Sequence, residues 1–107
     1  MFSRNVTMHL KPRSVDEFTR TIENEVLPVL RKQKGFLDEL TFVVADGTEA
    51  LGVSLWDLKA NADAYDGGGT YRQVLKALSK VIDGTPQVRT YEVCNSTFHK
   101  IAAHVAV

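Results

Sequence analysis

The chain has 107 residues, a length that fits one domain of ordinary size. Its hydrophobic fraction of 44% is that of a globular protein, and 13 basic residues balance 13 acidic ones. A net charge of zero argues against nucleic acid and against an anionic membrane surface as partners. No apolar run reaches the length of a membrane span or of a signal-peptide core. Because Cys94 is the single cysteine and cannot form an internal disulfide, we expect a cytoplasmic protein.

The N-terminal third predicts a strand followed by a helix. Residues 2–10 alternate between apolar and polar side chains, which is the period of a strand. A helix is predicted from Ser14, which forms a capping box with Glu17. Pro28 removes a backbone donor and should bend this helix, which Gly35 ends. The apolar stripe of the helix comprises Val15, Phe18, Ile22, Val26, Val29 and Leu30.

The middle of the chain predicts a hairpin of two strands. Residues 36–45 and 48–56 are rich in aromatic and β-branched side chains, and Asp46-Gly47 between them is a strong turn signal. In the second of these strands, Leu51, Val53 and Leu55 share one face, and Gly52, Ser54 and Trp56 share the other.

The C-terminal part predicts a broken helix and a last strand. A short helix over residues 60–66 meets Gly67-Gly68-Gly69, and Thr70 restarts a helix with a second capping box to Gln73. Asp83-Gly84 ends that helix, and residues 86–93 form the strand. The buried stripe of the second helix comprises Tyr71, Val74, Leu75, Leu78, Val81 and Ile82.

The order β-α-β-β-α-β predicts a single α+β domain with the ferredoxin-like fold, whose core spans residues 2–93 and whose tail spans 94–107. Right-handed crossovers place both helices on one face of an antiparallel four-stranded sheet. The helix-free face would then be too apolar to remain in water, so we expect a homodimer that packs sheet on sheet. The residues assigned to this face are Asn5, Thr7, His9, Leu37, Thr41 and Val43, with Trp56 as a further candidate.

Three stretches are similar to a known family. Residues 26–36 (Val-Leu-Pro-Val-Leu-Arg-Lys-Gln-Lys-Gly-Phe), the strand end Leu10-Lys11-Pro12 and the segment Ser54-Leu55-Trp56-Asp57 resemble antibiotic-biosynthesis-monooxygenase (ABM) domains. The resemblance implies a dimeric α+β barrel with a ligand cavity between the helices and the sheet. Members of that family include cofactor-independent oxygenases of quinol-type molecules and haem-degrading oxygenases.

The residues of the haem-degrading branch can be compared with this sequence one by one. Those proteins use an asparagine on the first strand, and a tryptophan and a histidine on the second helix. The asparagine position falls here on Val6, the tryptophan position on Tyr65 and the histidine position on Leu75. An axial ligand needs a lone pair, which leucine lacks, so we expect no turnover of haem and no cofactor.

The glycine run is the strongest candidate for a moving part. In the family the cavity mouth lies near the break in the second helix, which here is Gly67-Gly68-Gly69 with Tyr65 and Tyr71 on either side. Three glycines lose much entropy on folding and pack nothing, so one hypothesis is a flexible gate with two ligand-binding tyrosines. The alternative is an ordinary helix kink with two boundary tyrosines.

Other chemistry-bearing residues are candidates with structural alternatives. Trp56 would stack on a substrate or pack in the core, and Arg89, on the same strand face as Tyr91, would hold an anionic oxygen or form an edge salt bridge. Cys94 has no neighbouring histidine and is expected to be inert. The histidines are not at metal-ligand spacing, so no metal site is expected: His9, His99 and His104.

Two functions remain open. The first is a cofactor-independent monooxygenase for an aromatic or quinol-type molecule, with Tyr65, Tyr71 and Arg89 as its polar groups. The second is a non-catalytic dimer that binds a small hydrophobic ligand or regulates a partner. The cavity discriminates between them, since an enzyme should show convergent polar groups there and a simple binding protein could be wholly apolar.

Overall fold

The computed structural model describes residues 1–98, and it confirms the predicted fold. A four-stranded antiparallel sheet has the strand order β2-β3-β1-β4, and the helices and the hydrophobic core lie on one of its faces. None of the described helices is long and apolar enough to cross a membrane. His99 and His104 lie outside the described residues. The elements are β1 (Phe2–Leu10), α1 (Val15–Thr21), a π-helix (Ile22–Val26), α2 (Leu27–Leu30), β2 (Phe36–Val43), β3 (Glu49–Trp56), α3 (Lys59–Gly67), α4 (Gly69–Leu78) and β4 (Ile82–Glu92).

The two predicted capping boxes are wrong. The hydroxyl of Ser14 donates to the carbonyl oxygen of Pro12 at 3.4 Å, and the side chain makes no bond to the first turn of α1. In the second case the N-cap is Gly68 rather than Thr70, which lies inside α4. The glycine break therefore sets the start of α4.

The predicted bend at Pro28 is a π-helical turn. The amide of Leu27 donates to the carbonyl of Ile22, five residues earlier, which widens the helix by one residue. Proline lacks an amide hydrogen and its ring clashes with the carbonyl four residues before it, so a wider turn ahead of Pro28 relieves both problems. The wide turn places Ile22 and Val26 in the core, facing the sheet.

The predicted face of β2 is wrong beyond Leu37, because a bulge changes the register. Phe36 pairs with Trp56, but the next pair joins Asp38 to Leu55, which leaves Leu37 as the extra residue. A shift of one residue turns the remaining side chains to the other face. Thr41 and Val43 consequently lie on the helix side, opposite Gly52 and Ala50, while Leu40 and Phe42 lie on the helix-free face.

The predicted start of β4 is also wrong. The strand begins at Ile82 instead of residue 86, and α4 ends at Leu78, so Val81 and Ile82 are buried outside the helix. Gly84 has a φ of +70°, which a glycine adopts without strain, near the register shift in the pairing of β4 with β1. Asp83-Gly84 thus forms an irregularity within the strand.

Candidate functional site

A small cavity lies between the sheet and the helices. Its free volume is about 50 Å³, which is room for a few water molecules. β1, β2 and β3 form the floor, the π-helix and α2 form one wall, and α3 and α4 form the other. Most lining side chains are apolar, and the polar ones are Arg4, Glu39, Ser54, Tyr65 and Tyr71.

A chain of aromatic contacts forms the wall at the α3 end. Trp56, fully buried on β3, meets Phe36 edge to face at 5.7 Å between ring centroids. It stacks on Tyr65 at 5.3 Å and 29°, and Tyr65 lies 5.8 Å from Tyr71. The indole nitrogen of Trp56 donates to the hydroxyl of Ser54 at 2.9 Å, which fixes the orientation of the ring. The wall is therefore held from behind by Trp56, which belongs to the helix side of the sheet and not to the opposite face.

A buried arginine lies against this wall. The side chain of Arg4 is 3% exposed, and its guanidinium carbon lies 4.1 Å from the ring centroid of Tyr71 and 5.0 Å from that of Tyr65. Its Nε and Nη2 both donate to Oδ1 of Asp66, at 3.2 and 2.5 Å. Charge, ring faces and a single carboxylate oxygen therefore converge at one corner of the cavity.

The Tyr65 hydroxyl remains a proton donor over the whole ordinary pH range. Burial raises the pKa of Tyr65 to about 12, although the nearby charge of Arg4 lowers it. A phenol with such a pKa stays protonated at neutral pH. In the cavity Tyr65 can donate a hydrogen bond to a ligand oxygen, and it cannot act as a phenolate base.

Glu39 is the carboxylate among the lining residues. Burial raises the pKa of Glu39, the hydrogen bond from the Thr41 hydroxyl lowers it, and the charge of Asp38 raises it. A desolvated carboxylate accepts a proton more readily than one in water. Glu39 is consequently the group in this cavity that is suited to proton transfer.

The raised pKa of Glu39 predicts a pH-dependent penalty on stability. Between the ordinary value of 4.5 and its own higher value, the folded state binds more protons than the unfolded state. Stability therefore falls as pH rises through this interval. We expect Glu39→Gln to be more stable than the wild type at about pH 7 and to lose this advantage at about pH 3.5. Urea unfolding at both pH values tests this, and an equal difference at the two values contradicts it.

The residues predicted as the site fall into two groups. Tyr65, Tyr71, Val6 and Leu75 line the cavity, and the last two have no lone pair to offer a metal. Arg89 and Tyr91 pair with Asn5 and Ser3, so they lie on the helix-free face, where Arg89 Nη1 donates to the Tyr91 hydroxyl at 3.5 Å. Arg89 and Tyr91 therefore do not line this cavity.

Sequence reasoning missed Arg4 and Glu39 for different reasons. Arg4 has the same strand parity as Val6 and Met8, so a charged residue on an inward-facing apolar row was a visible signal. Glu39 gave no such signal, because its face depends on the bulge at Leu37.

The glycine break permits a test by substitution. Gly68 joins α3 to α4 with a φ of −85°, and a Cβ there would lie 3.0 Å from the backbone oxygen of Ala64. A Cβ at Gly67 or Gly69 would meet no atom within 4 Å. We expect Gly69→Ala to stabilise the protein by about 0.5–1 kcal/mol and Gly68→Ala to stabilise it less or to destabilise it. Urea unfolding measures both variants, and a larger gain for Gly68→Ala would contradict the tight approach to Ala64.

No cluster of metal-ligating side chains is found in the part of the chain that the structure describes. Within residues 1–98, no three His, Cys, Asp or Glu side chains are placed to hold one ion. Cys94 is exposed.

These features define a small ferredoxin-like α+β protein with a cavity between its helices and its sheet. No family model and no curated protein matches the sequence. Solved structures match it over most of its length. A monooxygenase of Streptomyces coelicolor, solved with the ligand nanaomycin D, superposes with a TM-score of 0.75 at 19% identity, over 89% of this chain and 88% of that one.

Two structures from Nitrosomonas europaea also superpose on this chain. A candidate antibiotic biosynthesis monooxygenase gives a TM-score of 0.71 at 14% identity, covering 89% of this chain and all 100% of that one. A protein of unknown function gives a TM-score of 0.71 at 12% identity, covering 90% of this chain and 91% of that one. The chain therefore has the fold of antibiotic biosynthesis monooxygenases, as the resemblance of its sequence implied.

Proposed function

We propose that the protein is a homodimeric monooxygenase that needs no cofactor and acts on a planar aromatic, quinol-type molecule in this cavity. The observation that supports an enzyme over a simple binding protein is that five polar residues line one cavity whose other lining residues are mostly apolar: Arg4, Glu39, Ser54, Tyr65 and Tyr71. The Streptomyces coelicolor monooxygenase, which shares the fold, was solved with a small-molecule ligand, nanaomycin D, and this also favours a small-molecule substrate.

In the proposed reaction the substrate supplies all four electrons that O₂ accepts. A phenol with a free para carbon reacts with O₂ to give a quinone and water. One oxygen atom enters the ring, and the other leaves as water with the hydrogens of the phenol and of the ring carbon. Glu39 would accept the phenolic proton, and the Tyr65 hydroxyl would donate to the oxygen on which charge develops.

Ligand entry requires the cavity to enlarge. A cavity of roughly 150 Å³ accepts benzene, which is three times the free volume present here. We propose that the side nearest the helix break, with Asp66 and Tyr71, moves outward while the sheet stays in place. In this proposal the break at Gly67-Gly68-Gly69 is the gate.

The dimer is proposed from the apolar side chains on the helix-free face. Leu37, Leu40 and Phe42 are 47%, 50% and 53% exposed, and Val44 beyond the strand is 45% exposed. A second copy packed sheet on sheet would cover this apolar patch.

Oxygen uptake tests the proposed activity. A dihydroxynaphthalene with one hydroxyl on each ring should consume one O₂ for each hydroxynaphthoquinone formed, without added metal or flavin. Glu39→Gln should lower kcat by about 10²–10⁴-fold. Glu17 is an exposed carboxylate on α1. Glu17→Gln is therefore the matched control, and its kcat should equal that of the wild type. If the wild type forms quinone no faster than autoxidation does, the proposed activity is refuted.

The second candidate is a non-catalytic binding protein. It is favoured by one observation, namely that the guanidinium of Arg4 already has a carboxylate partner in Asp66. This candidate predicts that aromatic compounds bind and that oxygen uptake stays at the background rate.

A further inference from the structure

An arginine is a costly residue at position 4. It lies on the central strand β1, facing a core whose other β1 members are Val6, Met8 and Leu10. Apolar residues of similar volume usually stabilise a fold as well as, or better than, a buried ion pair. Stability alone does not explain Arg4, whereas an anion that must be held in the cavity does.

Asp66 satisfies only part of the hydrogen-bonding capacity of the Arg4 guanidinium. The Asp66 side chain is 48% exposed, and one of its oxygens accepts both hydrogen bonds. No bond from Arg4 Nη1 is found among the described residues. A carboxylate that uses both oxygens matches the planar guanidinium fork better.

Asp66 also lies close to the break between α3 and α4. It is the penultimate residue of α3 and lies two residues before Gly68, whose extended backbone breaks the helix. Nothing else in the described structure bonds to the Asp66 carboxylate. Its departure would therefore break one ion pair, and its charge would pass into water.

The rings beside Arg4 define the rest of the ligand. The guanidinium lies over Tyr71 and near Tyr65, and the two tyrosine rings lie 5.8 Å apart. An aromatic ring packed against this wall would place a carboxylate substituent within reach of Arg4.

We propose that Arg4 binds the carboxylate of an aromatic acid, and that the Asp66 carboxylate occupies this position until the ligand displaces it. This inference rests on the proposed ligand-binding function of the cavity and names its substrate class. Asp66 is an internal competitor: when its carboxylate is bound to Arg4 in most molecules, the apparent affinity for the ligand falls in proportion.

A matched pair of probes tests the charge requirement. Naphthoate and naphthamide share one ring system, and only naphthoate is an anion. Trp56 is the single tryptophan and stacks on Tyr65, so its fluorescence reports binding in the cavity, with calorimetry as a second readout. The wild type should bind naphthoate more tightly than naphthamide.

Three variants then separate the roles. Asp66→Asn should bind naphthoate about tenfold more tightly or better, with little change for naphthamide. Asp63→Asn, also on α3 but paired with Lys59, is the control and should match the wild type. Arg4→Met places an apolar side chain of similar length in the core, so the variant should fold. It should bind naphthoate no more tightly than naphthamide, and its affinity for naphthamide should be that of the wild type.

The outcomes distinguish this inference from the function on which it rests. Naphthamide binding without a preference for naphthoate, or a preference that survives Arg4→Met, overturns the role of Arg4 and leaves the cavity as a ligand site. Weaker naphthoate binding by folded Asp66→Asn overturns the competition. Binding of neither probe to the wild type overturns both proposals.

Discussion

We expect Phe42→Glu to convert the proposed dimer into a folded monomer. Phe42 is 53% exposed in the protomer and lies on the helix-free face. Burying such a side chain contributes about 1.5–3 kcal/mol, and burying an unpaired carboxylate costs several more. In a two-fold interface the change occurs twice, so the dimer Kd should rise roughly a thousandfold or more.

Light scattering at micromolar concentration measures the effect, and circular dichroism reports whether the monomer is folded. Leu58→Glu is the matched control. Leu58 is also apolar and is 59% exposed, but it is the N-cap residue of α3 and is not part of the strand that carries the patch. A monomeric wild type, or equal behaviour of the two variants, would contradict the sheet-on-sheet dimer.

The second large effect is expected from Trp56→Ala. Trp56 is fully buried, contacts Phe36 and Tyr65 through its ring, and donates to Ser54. Removing a buried aromatic side chain of this size costs about 3–5 kcal/mol, because the transfer energy is lost and a cavity remains. Tyr65 would also lose the surface that orients it.

Trp56→Phe provides the comparison. It retains a ring against Tyr65 but leaves the hydroxyl of Ser54 without its donor, so it should be less destabilising than Trp56→Ala. Urea unfolding followed by circular dichroism measures both variants without relying on tryptophan fluorescence. Equal destabilisation by the two would show that ring packing is not what Trp56 contributes.

Periodicity was sufficient for the order and type of the elements. The strand at Phe2–Leu10 was predicted to the residue, and Asp46-Gly47 joins β2 and β3 as expected, with Gly47 at a φ of +73°. Such features depend on side chains near in sequence, where local physical rules suffice. The capping boxes failed because neither hydroxyl takes up the bonds that its spacing allows.

The candidate site was only partly predictable, because it depends on register. Tyr65, Tyr71, Val6 and Leu75 line the cavity as the resemblance implied. Arg89 and Tyr91 share a face, as their spacing predicted, but the pairing of β4 with β1 puts them opposite the cavity.

The bulge at Leu37 shows the same limit. One unpaired residue turned Glu39 toward the helices and Leu40 away from them. A bulge is a feature of the pairing between two strands, so the alternation within one strand does not reveal it.

Glu39 links the proposed function to a cost in stability. Its desolvated carboxylate should make the protein less stable at neutral pH and should also make Glu39 an effective base. Glu39→Gln is therefore expected to be more stable and less active, a combination that a purely structural residue would not give.

The most direct test of the cavity as the functional site is a crystal structure of the protein with dihydroxynaphthalene, prepared without oxygen. We predict the ring between the helices and the sheet, packed against Tyr65 and Tyr71, with the α3–α4 break moved outward. A ring bound on the helix-free face beside Arg89 and Tyr91, with the cavity unchanged at about 50 Å³, would contradict the account.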